Sequence, residues 1–357
     1  MSCVITNPEA VSAEWLTKVL CQGRGLPRGQ VVSVRVVSES SYTSIIGRLT
    51  LTYSDEVPPT MPTHLFLKIC KPSSEQLVVG SSQRRHEVEF HNNVAKLMPS
   101  PPIVPCHQAV YCEETGASNL IFDDVSVTHF QVESSLPPPA RQAEKAIDAF
   151  AEFHAFWWDH QALGDIDVLP SQKSVTEHVN NTHEHYPRFV DSLGGRLTAS
   201  QRQVYEKTLV SLPSLMERVT RGKDLTLIHG DANWSNMLLP HDPDRDRALI
   251  IDWQLWGVSF AAEDLAHLMA LYWEKECRQR MERDLLTRYH QGLIRHGVEN
   301  YEWTECWNDY RLAVILRVLF MPMWFWVSGS PDSWWQRSLV RAMQAFEDLG
   351  CMELLES

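Results

Sequence analysis

Two aspartates and the asparagine between them are the residues of this chain best suited to chemistry. Asp231 follows a short apolar run at 225–228, Asn236 comes five positions later, and Asp252 closes a second apolar run at 248–251. A carboxylate can orient or deprotonate a hydroxyl nucleophile, and carboxylate and amide oxygens are ligands for Mg²⁺. Transfer of a phosphoryl group from a nucleotide needs both functions. Asp231 suits the first, and Asn236 and Asp252 suit the second.

The motif around these residues is more specific than its three polar side chains. Residues 229–236 read HGDANWSN, and residues 251–253 read IDW. The combination resembles the H-G-D-x-x-x-x-N and D-[WF] signature of the aminoglycoside phosphotransferase and choline kinase-like families, which include ecdysteroid kinase-like enzymes. The alternative interpretation is a polar hairpin in which Asp and Asn are only turn residues.

The resemblance implies a fold of class α+β, the two-lobe fold of protein kinases. It predicts a small N-terminal lobe, 1–124, which binds the nucleotide with an antiparallel sheet and one main helix. It also predicts a mostly helical C-terminal lobe, 125–357, for catalysis and substrate binding. No parallel βαβ pattern is present, which disfavours a doubly wound α/β fold.

Composition limits the classes of protein that fit. The chain has 357 residues, 44% of them hydrophobic and 22% charged, as in a soluble globular protein large enough for two domains. A net charge of −13 argues against nucleic-acid binding. It mildly favours a neutral or cationic small substrate, but an acidic surface that only promotes solubility is the favoured explanation for most of the charge.

The hydrophobic segments and cysteines indicate a cytoplasmic protein with no membrane partner. The expected oligomeric state is a monomer or homodimer. No apolar run approaches the roughly 20 residues of a membrane helix. The richest candidate, 313–327, contains Arg317 and Pro322 and is expected to be a buried helix. The N-terminus lacks the basic and apolar segments of a signal peptide. Eight cysteines without a CxxC pair indicate reduced thiols and argue against a zinc site.

The first third of the chain predicts the smaller lobe. Asn7 and Pro8 are suited to start a helix over 8–21. Alternating apolar and polar residues predict an antiparallel hairpin, and further short runs bounded by turns predict more strands. A second helix is expected over 82–97. The predicted strands are 31–38, 45–53, 64–70, 106–111 and 118–122.

Lys68 lies on the third predicted strand and is the next candidate. The resemblance implies a lysine there that grips the nucleotide phosphates, steadied by a glutamate on the following helix. Residues 87–91 read EVEFH and match the family's E-x-x-F-Y with His91 in place of tyrosine, so Glu87 is the predicted partner. Glu89 is interpreted as a solvated charge.

The turn after the first strand departs from the family pattern. Kinase relatives carry glycines there, which let backbone N–H groups approach phosphates, whereas residues 38–44 read SESSYTS. The hydroxyl groups of Ser41, Thr43 and Ser44 are predicted to contact the phosphates instead. Phe122 and Asp124 fall where the family has the hinge that binds the nucleotide base. ATP is the expected cofactor with Mg²⁺, and GTP stays possible.

Long helices are predicted over the rest of the chain, at 140–158, 172–193, 200–219, 275–296, 302–327 and 332–349. Asp264, in the sequence EDLA, matches an aspartate that the resemblance implies braces the catalytic loop. His154 is interpreted as a core residue, and His178, His183 and His185 as a helix surface. Seven C-terminal tryptophans are interpreted mainly as core, with an aromatic wall around a substrate as the alternative. They are Trp273, Trp303, Trp307, Trp324, Trp326, Trp334 and Trp335.

The predicted function is transfer of the γ-phosphoryl group of ATP to a hydroxyl group of a small molecule, such as an antibiotic, an amino alcohol or another metabolite. One alternative is a non-catalytic relative that binds a nucleotide or metabolite, which the Ser-rich turn favours. Another is a protein kinase, which the missing H-R-D, D-F-G and A-P-E motifs disfavour. The acceptor is left open, because helices without a readable code build its pocket.

Overall fold

The computed structural model describes residues 4–23, 26–40, 44–70, 78–167 and 169–356. The strands are β1 Val31–Ser40, β2 Ile45–Tyr53, β3 His64–Cys70, β4 Cys106–Tyr111, β5 Ser118–Asp123, β6 His129–Phe130, β7 Thr226–Ile228, β8 Met237–Pro240, β9 Leu249–Ile250 and β10 Gly257–Ser259. The α-helices are α1 Ala13–Gln22, α2 Val78–Glu89, α3 Ala140–Trp157, α4 Leu163–Ile166, α5 Gln172–Ser192, α6 Ala199–Leu215, α7 Glu217–Thr220, α8 Ala262–Ala266, α9 Lys275–Arg295, α10 Trp303–Ala313, α11 Met321–Val327, α12 Asp332–Asp348 and α13 Met352–Glu356.

The chain divides into two compact units. The first unit consists of Met1–Phe130 and Leu249–Trp256, and the second of Gln131–Ala248 and Gly257–Ser357. The first unit contains an antiparallel sheet in the order β1-β2-β3-β5-β4, with α2 connecting β3 to β4. Helices dominate the second unit, where β7 and β10 form an antiparallel pair.

Strand β3 separates two different faces of the five-stranded sheet. Leu65, Leu67 and Ile69 are fully buried in the apolar cluster that also contains residues of α1. Successive side chains of a strand point to opposite faces, so Lys68 lies on the other face. There Leu120 of β5, which is paired with Lys68, packs with Val88 of α2. The sheet therefore presents its lysine towards the side on which α2 packs.

The segment Leu249–Trp256 joins the first unit although it is distant in sequence. Ile250 donates its backbone N–H to Pro102 O at 2.8 Å. Trp253 stacks on Phe90, with ring centroids 4.1 Å apart, and Trp256 stacks on His86 at 4.2 Å. These contacts attach the segment that carries residue 252 to His86 on α2 and to Phe90 just after α2.

In the second unit, the long helices α3 and α9 pack closely. Gly292 permits this approach, because a Cβ atom at that position would lie only 2.6 Å from the Cβ atom of Ala151. The buried side of α3 is apolar apart from His154, as the 3.6-residue period of its sequence predicts. Helix α3 also packs against β7, the strand that leads into the HGD motif.

In the part of the chain that the structure describes, three helices change from α to π geometry along their length. The π-helical turns are Phe90–Val94 after α2, His267–Leu271 after α8 and Val314–Val318 after α10. A π-turn closes hydrogen bonds from residue i to i+5, is rare, and frequently occurs at functional sites. Two of the turns, His267–Leu271 and Val314–Val318, pack against each other in the second unit.

The helices predicted at 8–21 and 82–97 have different internal structure. The first is divided into a 3₁₀ turn, Pro8–Ala10, and α1, because Asn7 caps the turn and Ser12 caps the helix with a second side-chain hydrogen bond. The second begins at Val78 as α2 and continues through a π-turn into a 3₁₀ turn at Ala95–Leu97. The mixed α/β fold with an antiparallel sheet and a mostly helical remainder agrees with the predicted fold class.

One helical stretch in the described part of the chain is long and apolar enough to cross a membrane. It is Trp303–Val327, which has 25 residues and includes one π-turn. In its most apolar window, 61% of the residues are buried inside the fold. A core helix of a soluble protein has the same properties, and the sequence predicted a buried helix here.

Candidate active site

Lys68 lies between two carboxylates of the first unit. Its Nζ atom is 2.8 Å from Glu87 Oε1 and 2.7 Å from Asp252 Oδ1. Glu87 is almost fully buried, whereas the Asp252 side chain is 38% exposed. The structure thus brings together three residues that the sequence predicted for the nucleotide and the metal. Glu89 instead pairs with Arg85 at the surface.

Electrostatics keeps Lys68 protonated. Burial alone would lower the pKa of its ammonium group, but the carboxylates of Asp252 and Glu87 outweigh this effect and raise the pKa above its usual value. Burial and, to a smaller extent, the charge of Lys68 lower the pKa of His91 to about 3. The site therefore presents a fixed cation and a neutral imidazole in the range of physiological pH.

Asp252 is held by Gln254, which was not among the predicted site residues. Gln254 donates its amide Nε2 to Asp252 Oδ1 at 2.6 Å, and its backbone N–H donates to Asp252 O at 2.9 Å. The backbone of Asp252 is left-handed, with a φ of 67°. A carboxylate has about four acceptor positions, so Asp252 can accept from Gln254 Nε2 and Lys68 Nζ and still coordinate a cation. In the sequence, the only indication of this role is that Gln254 lies two residues after Asp252.

The loop after β7 buries nearly all of its motif. His229, Ala232 and Trp234 are at most 1% exposed, whereas the Asp231 side chain is 38% exposed. Gly230 has a φ of 78°, in the left-handed region that glycine adopts without a steric penalty. The turn at Gly230 thus separates buried His229 from the carboxylate that reaches the surface.

Asn236 holds the Asp231 carboxylate. Its Nδ2 atom donates to Asp231 Oδ2 at 3.1 Å and to the backbone oxygen of Asp231 at 3.0 Å. Because the amide nitrogen is used in this way, the oxygen of the Asn236 side chain is the atom suited to coordinate a cation. Mg²⁺ prefers oxygen ligands, so the donor set fits the predicted role.

Asp264 accepts hydrogen bonds from the backbone of the HGD motif. His229 N–H donates to Asp264 Oδ2 at 2.6 Å, and Gly230 N–H donates to Oδ1 at 3.0 Å. His154 Nε2 lies 3.2 Å from Oδ2, and its Nδ1 atom is 2.8 Å from the hydroxyl oxygen of Tyr289. Burial alone would raise the pKa of Asp264, but these partners lower it. This bracing of the loop is what the family resemblance implies.

Arg317 reaches the same loop from the π-turn Val314–Val318. Its guanidinium donates to Gly230 O, to Glu263 Oε2 at 3.4 Å and to His267 Nδ1 at 2.9 Å. The Asp231 carboxylate and, more strongly, burial raise the pKa of Tyr272, whose ring stacks on His267. In the sequence, Arg317 was noticeable only as an interruption of an apolar run, where a charged residue indicates a buried partner.

Ser44, Phe122 and Asp124 lie at or next to the ends of β2 and β5, which are inner strands of the sheet. Ser44 precedes β2 and is buried, whereas Ser41 and Thr43 lie outside the described residues. Phe122 is on β5 and meets the His91 ring edge-on at 5.1 Å. Asp124 follows β5, and its carboxylate accepts from Arg48 and from the backbone N–H of Ser126.

The histidines at 178–185 and the seven C-terminal tryptophans include both buried and exposed side chains. Within the described residues, no three His, Cys, Asp or Glu side chains form a cluster that could hold a metal ion. His185 packs against Trp324 with ring centroids 5.6 Å apart. Trp273 is buried and stacks on Trp234, while Trp334 is 60% exposed. Some of these tryptophans therefore lie in the core and others at the surface.

Comparison with solved structures identifies the fold. A candidate aminoglycoside phosphotransferase from Ralstonia eutropha has 16% identity and a TM-score of 0.56, over 89% of this chain and 92% of that one. Choline kinase LicA from Streptococcus pneumoniae has 13% identity and a TM-score of 0.50, over 89% and 94%. A variant of aminoglycoside 2′-phosphotransferase-IIIa in complex with GDP has 14% identity and a TM-score of 0.53, over 95% of each chain. The fold is that of protein kinase-like phosphotransferases.

The family follows from the sequence itself. Residues 39–299 match the model of the ecdysteroid kinase-like family, which covers well over half of the chain. No curated protein matches the chain significantly. The chain therefore belongs to the ecdysteroid kinase-like family, and the resemblance drawn from the HGD and IDW motifs is confirmed.

Proposed function

We propose that the chain is a small-molecule kinase that transfers the γ-phosphoryl group of ATP to a hydroxyl group. The observation that carries this proposal is the Asp231 carboxylate, which is 38% exposed on an otherwise buried loop and held by Asn236 Nδ2. A general base needs both access to its substrate and a fixed orientation. The family and the kinase-like fold support the same class of reaction.

Asp231 is proposed to accept the proton of the acceptor hydroxyl. The hydroxyl oxygen forms a bond to the γ-phosphorus, while the bond from that phosphorus to the β–γ bridging oxygen breaks and leaves ADP. Lys68, steadied by Glu87, is proposed to contact phosphate oxygens. Asp252 and Asn236 would supply a carboxylate and an amide oxygen to Mg²⁺, which offsets the charge of the phosphates when it is bound.

For the nucleotide donor and the acceptor, we propose a class of molecule and not a particular compound. ATP is the proposed donor, with GTP as the alternative, since one structural relative was solved as a GDP complex. Ser44, Ser41 and Thr43 would contact phosphate, and Phe122 and Asp124 would lie at the base. The acceptor is a small hydroxylated molecule, neutral or cationic. A cytoplasmic location, a monomeric or homodimeric state and the division at residue 124 stay predictions.

A nucleotide-consumption assay tests the proposed function. ATP and then GTP would be supplied with Mg²⁺ to the full chain, together with a panel of aminoglycosides, amino alcohols, macrolides, sugars and lipid-like alcohols. Consumption that depends on one panel member, with phosphate recovered on that molecule, is expected. Nucleotide binding without turnover on any member would favour the alternative, a non-catalytic relative. Phosphate on a peptide would instead favour a protein kinase.

Replacing Lys68 by methionine is expected to reduce kcat/KM for ATP by about a hundredfold to a thousandfold, because a charge that stabilises the transferring phosphoryl group is lost. The same change leaves Glu87 buried without its ammonium partner, so the free energy of unfolding should also fall. Initial rates at varied ATP concentration and urea unfolding measure the two effects.

Lys96→Met is the matched control, since Lys96 is an exposed lysine of the same unit. It should change neither kcat/KM nor stability. A Lys68→Met protein that folds and keeps the parent's kcat/KM for ATP would exclude the role assigned to Lys68.

A further inference from the structure

Arg317 and His267 form a pair beside Asp231 that the proposed roles do not use. Arg317 lies on the π-turn Val314–Val318 and His267 on the π-turn His267–Leu271, and these turns pack against each other. The guanidinium Nε atom is 2.9 Å from His267 Nδ1. Two rare helical turns thus meet where an arginine contacts a histidine beside the candidate base.

This contact determines where the imidazole carries its proton. An arginine guanidinium has only donors and stays protonated in proteins, so its Nε–H must donate to an unprotonated nitrogen. His267 Nδ1 therefore accepts, and the proton of the neutral ring resides on Nε2. A doubly protonated ring would place two N–H groups against each other.

The charges that face His267 favour the same neutral form. Burial has the largest effect and lowers the pKa of His267, and Arg317 and His229 lower it further. Asp264, on the preceding helix, acts in the opposite direction, and the net result is a pKa well below the usual value. Asp231 and Tyr272 also face the ring.

The protonated nitrogen points towards the candidate base. His267 Nε2 is buried and makes no hydrogen bond within the described part of the chain. It lies 3.6 Å from Asp231 Oδ1, which is longer than a hydrogen bond. A buried N–H without a partner is costly, and catalytic hydrogen bonds are often long before substrate binds. The other carboxylate oxygen already accepts from Asn236.

We propose that Arg317 fixes His267 in its Nε2–H tautomer, and that His267 is a positioning residue which orients the Asp231 carboxylate towards the acceptor hydroxyl. The carboxylate is then held from both sides, by Asn236 at Oδ2 and by His267 at Oδ1. His267 takes no proton during the reaction, because its accepting nitrogen is occupied by Arg317. The inference rests on the proposed function of Asp231.

The tautomer can be measured without turnover. Nitrogen-15 NMR of histidine-labelled protein distinguishes a protonated from an unprotonated ring nitrogen, and comparison with a His267→Gln protein identifies the signals of His267. Between pH 6 and pH 8 we expect an unprotonated Nδ1 and a protonated Nε2. Arg317→Met should weaken this preference, since it removes the N–H donor that occupies Nδ1. A protonated Nδ1 in the parent protein would overturn the inference.

Kinetics tests the positioning role. Glutamine at 267 offers an oxygen to Arg317 and an N–H group to Asp231, whereas phenylalanine keeps the ring shape and removes both. His267→Phe is expected to lower kcat by about a hundredfold, with KM for the nucleotide unchanged, because a misplaced catalytic group costs this much. His267→Gln should recover most of that loss. Equal kcat values for both variants, or a loss confined to KM, would contradict the role.

The two experiments separate this inference from the proposed function. If the parent protein transferred phosphate to no acceptor, the proposed function would fail while the NMR measurement still decided the tautomer. If the parent were active and His267→Phe turned over at the parent's rate, the proposed function would stand and the role of His267 would be wrong. Thermal unfolding of both variants checks that each protein folds.

Discussion

Replacing Asp231 by asparagine is expected to lower kcat by about a hundredfold to ten-thousandfold and to leave nucleotide affinity unchanged. The amide has nearly the shape of the carboxylate but cannot accept a proton, and general-base catalysis contributes roughly this factor. Little change in stability is expected, because the Asp231 side chain is itself 38% exposed and asparagine has nearly the same shape. The measurement is steady-state kinetics with the acceptor found in the panel, together with nucleotide binding by calorimetry.

Asp284→Asn provides the control for this prediction. Asp284 is an exposed aspartate on α9, in the same unit as Asp231. Its replacement removes one negative charge from the surface and should leave kcat as it is. Phosphate transfer by Asp231→Asn at the rate of the parent would rule out Asp231 as the base.

Replacing Asp264 by asparagine is expected to lower both the free energy of unfolding and the activity. Asp264 accepts from two backbone N–H groups and faces His154 Nε2, and it is fully buried. An asparagine turns one of its oxygens into a donor, which then meets groups that are themselves donors. Breaking a buried charged network typically costs about 3 to 5 kcal/mol. Urea unfolding measures the difference in the free energy of unfolding between the parent and Asp264→Asn, with Asp284→Asn as the control.

The pH dependence of that difference follows from the pKa of Asp264. The pKa is lower in the folded chain than the ordinary value of 3.8, so the carboxylate stabilises the fold fully above pH 3.8. This contribution is lost as the pH falls below 3.8 and Asp264 becomes protonated. The difference in the free energy of unfolding between the parent and Asp264→Asn should therefore be constant from pH 6 to pH 8 and become smaller below pH 3.8. A gap that widens in acid would contradict the assignment.

Local patterns in the sequence predicted much of the sheet. The bounds predicted for β2, β3 and β4 match those of the structure, because alternation and the flanking turns are properties of neighbouring residues. The same alternation explains why Lys68 and Leu67 lie on opposite faces of β3. The motif spacing and the family resemblance indicated the remaining candidates, since the match depends on residue types and order alone.

The features that sequence reasoning missed depend on distant or fully buried residues. The contact of Lys68 with Asp252 joins positions 184 residues apart, and local periodicity carries no information on such pairs. The π-turn His267–Leu271 is buried on all sides, so it has no apolar stripe from which a change of helical period could be read. Arg317 stood out as a charge, but its partner His267 lies 50 residues earlier.

The left-handed backbone at Asp252 affects how this position should be studied by mutagenesis. With a φ of 67°, residue 252 has a conformation that glycine adopts freely, asparagine and aspartate tolerate, and other residues adopt only at a cost of roughly 1 to 2 kcal/mol. Alanine at 252 would therefore combine backbone strain with loss of the carboxylate. Asparagine also tolerates the left-handed backbone, so Asp252→Asn tests the loss of the negative charge alone. Asp252→Gly removes the whole side chain without backbone strain.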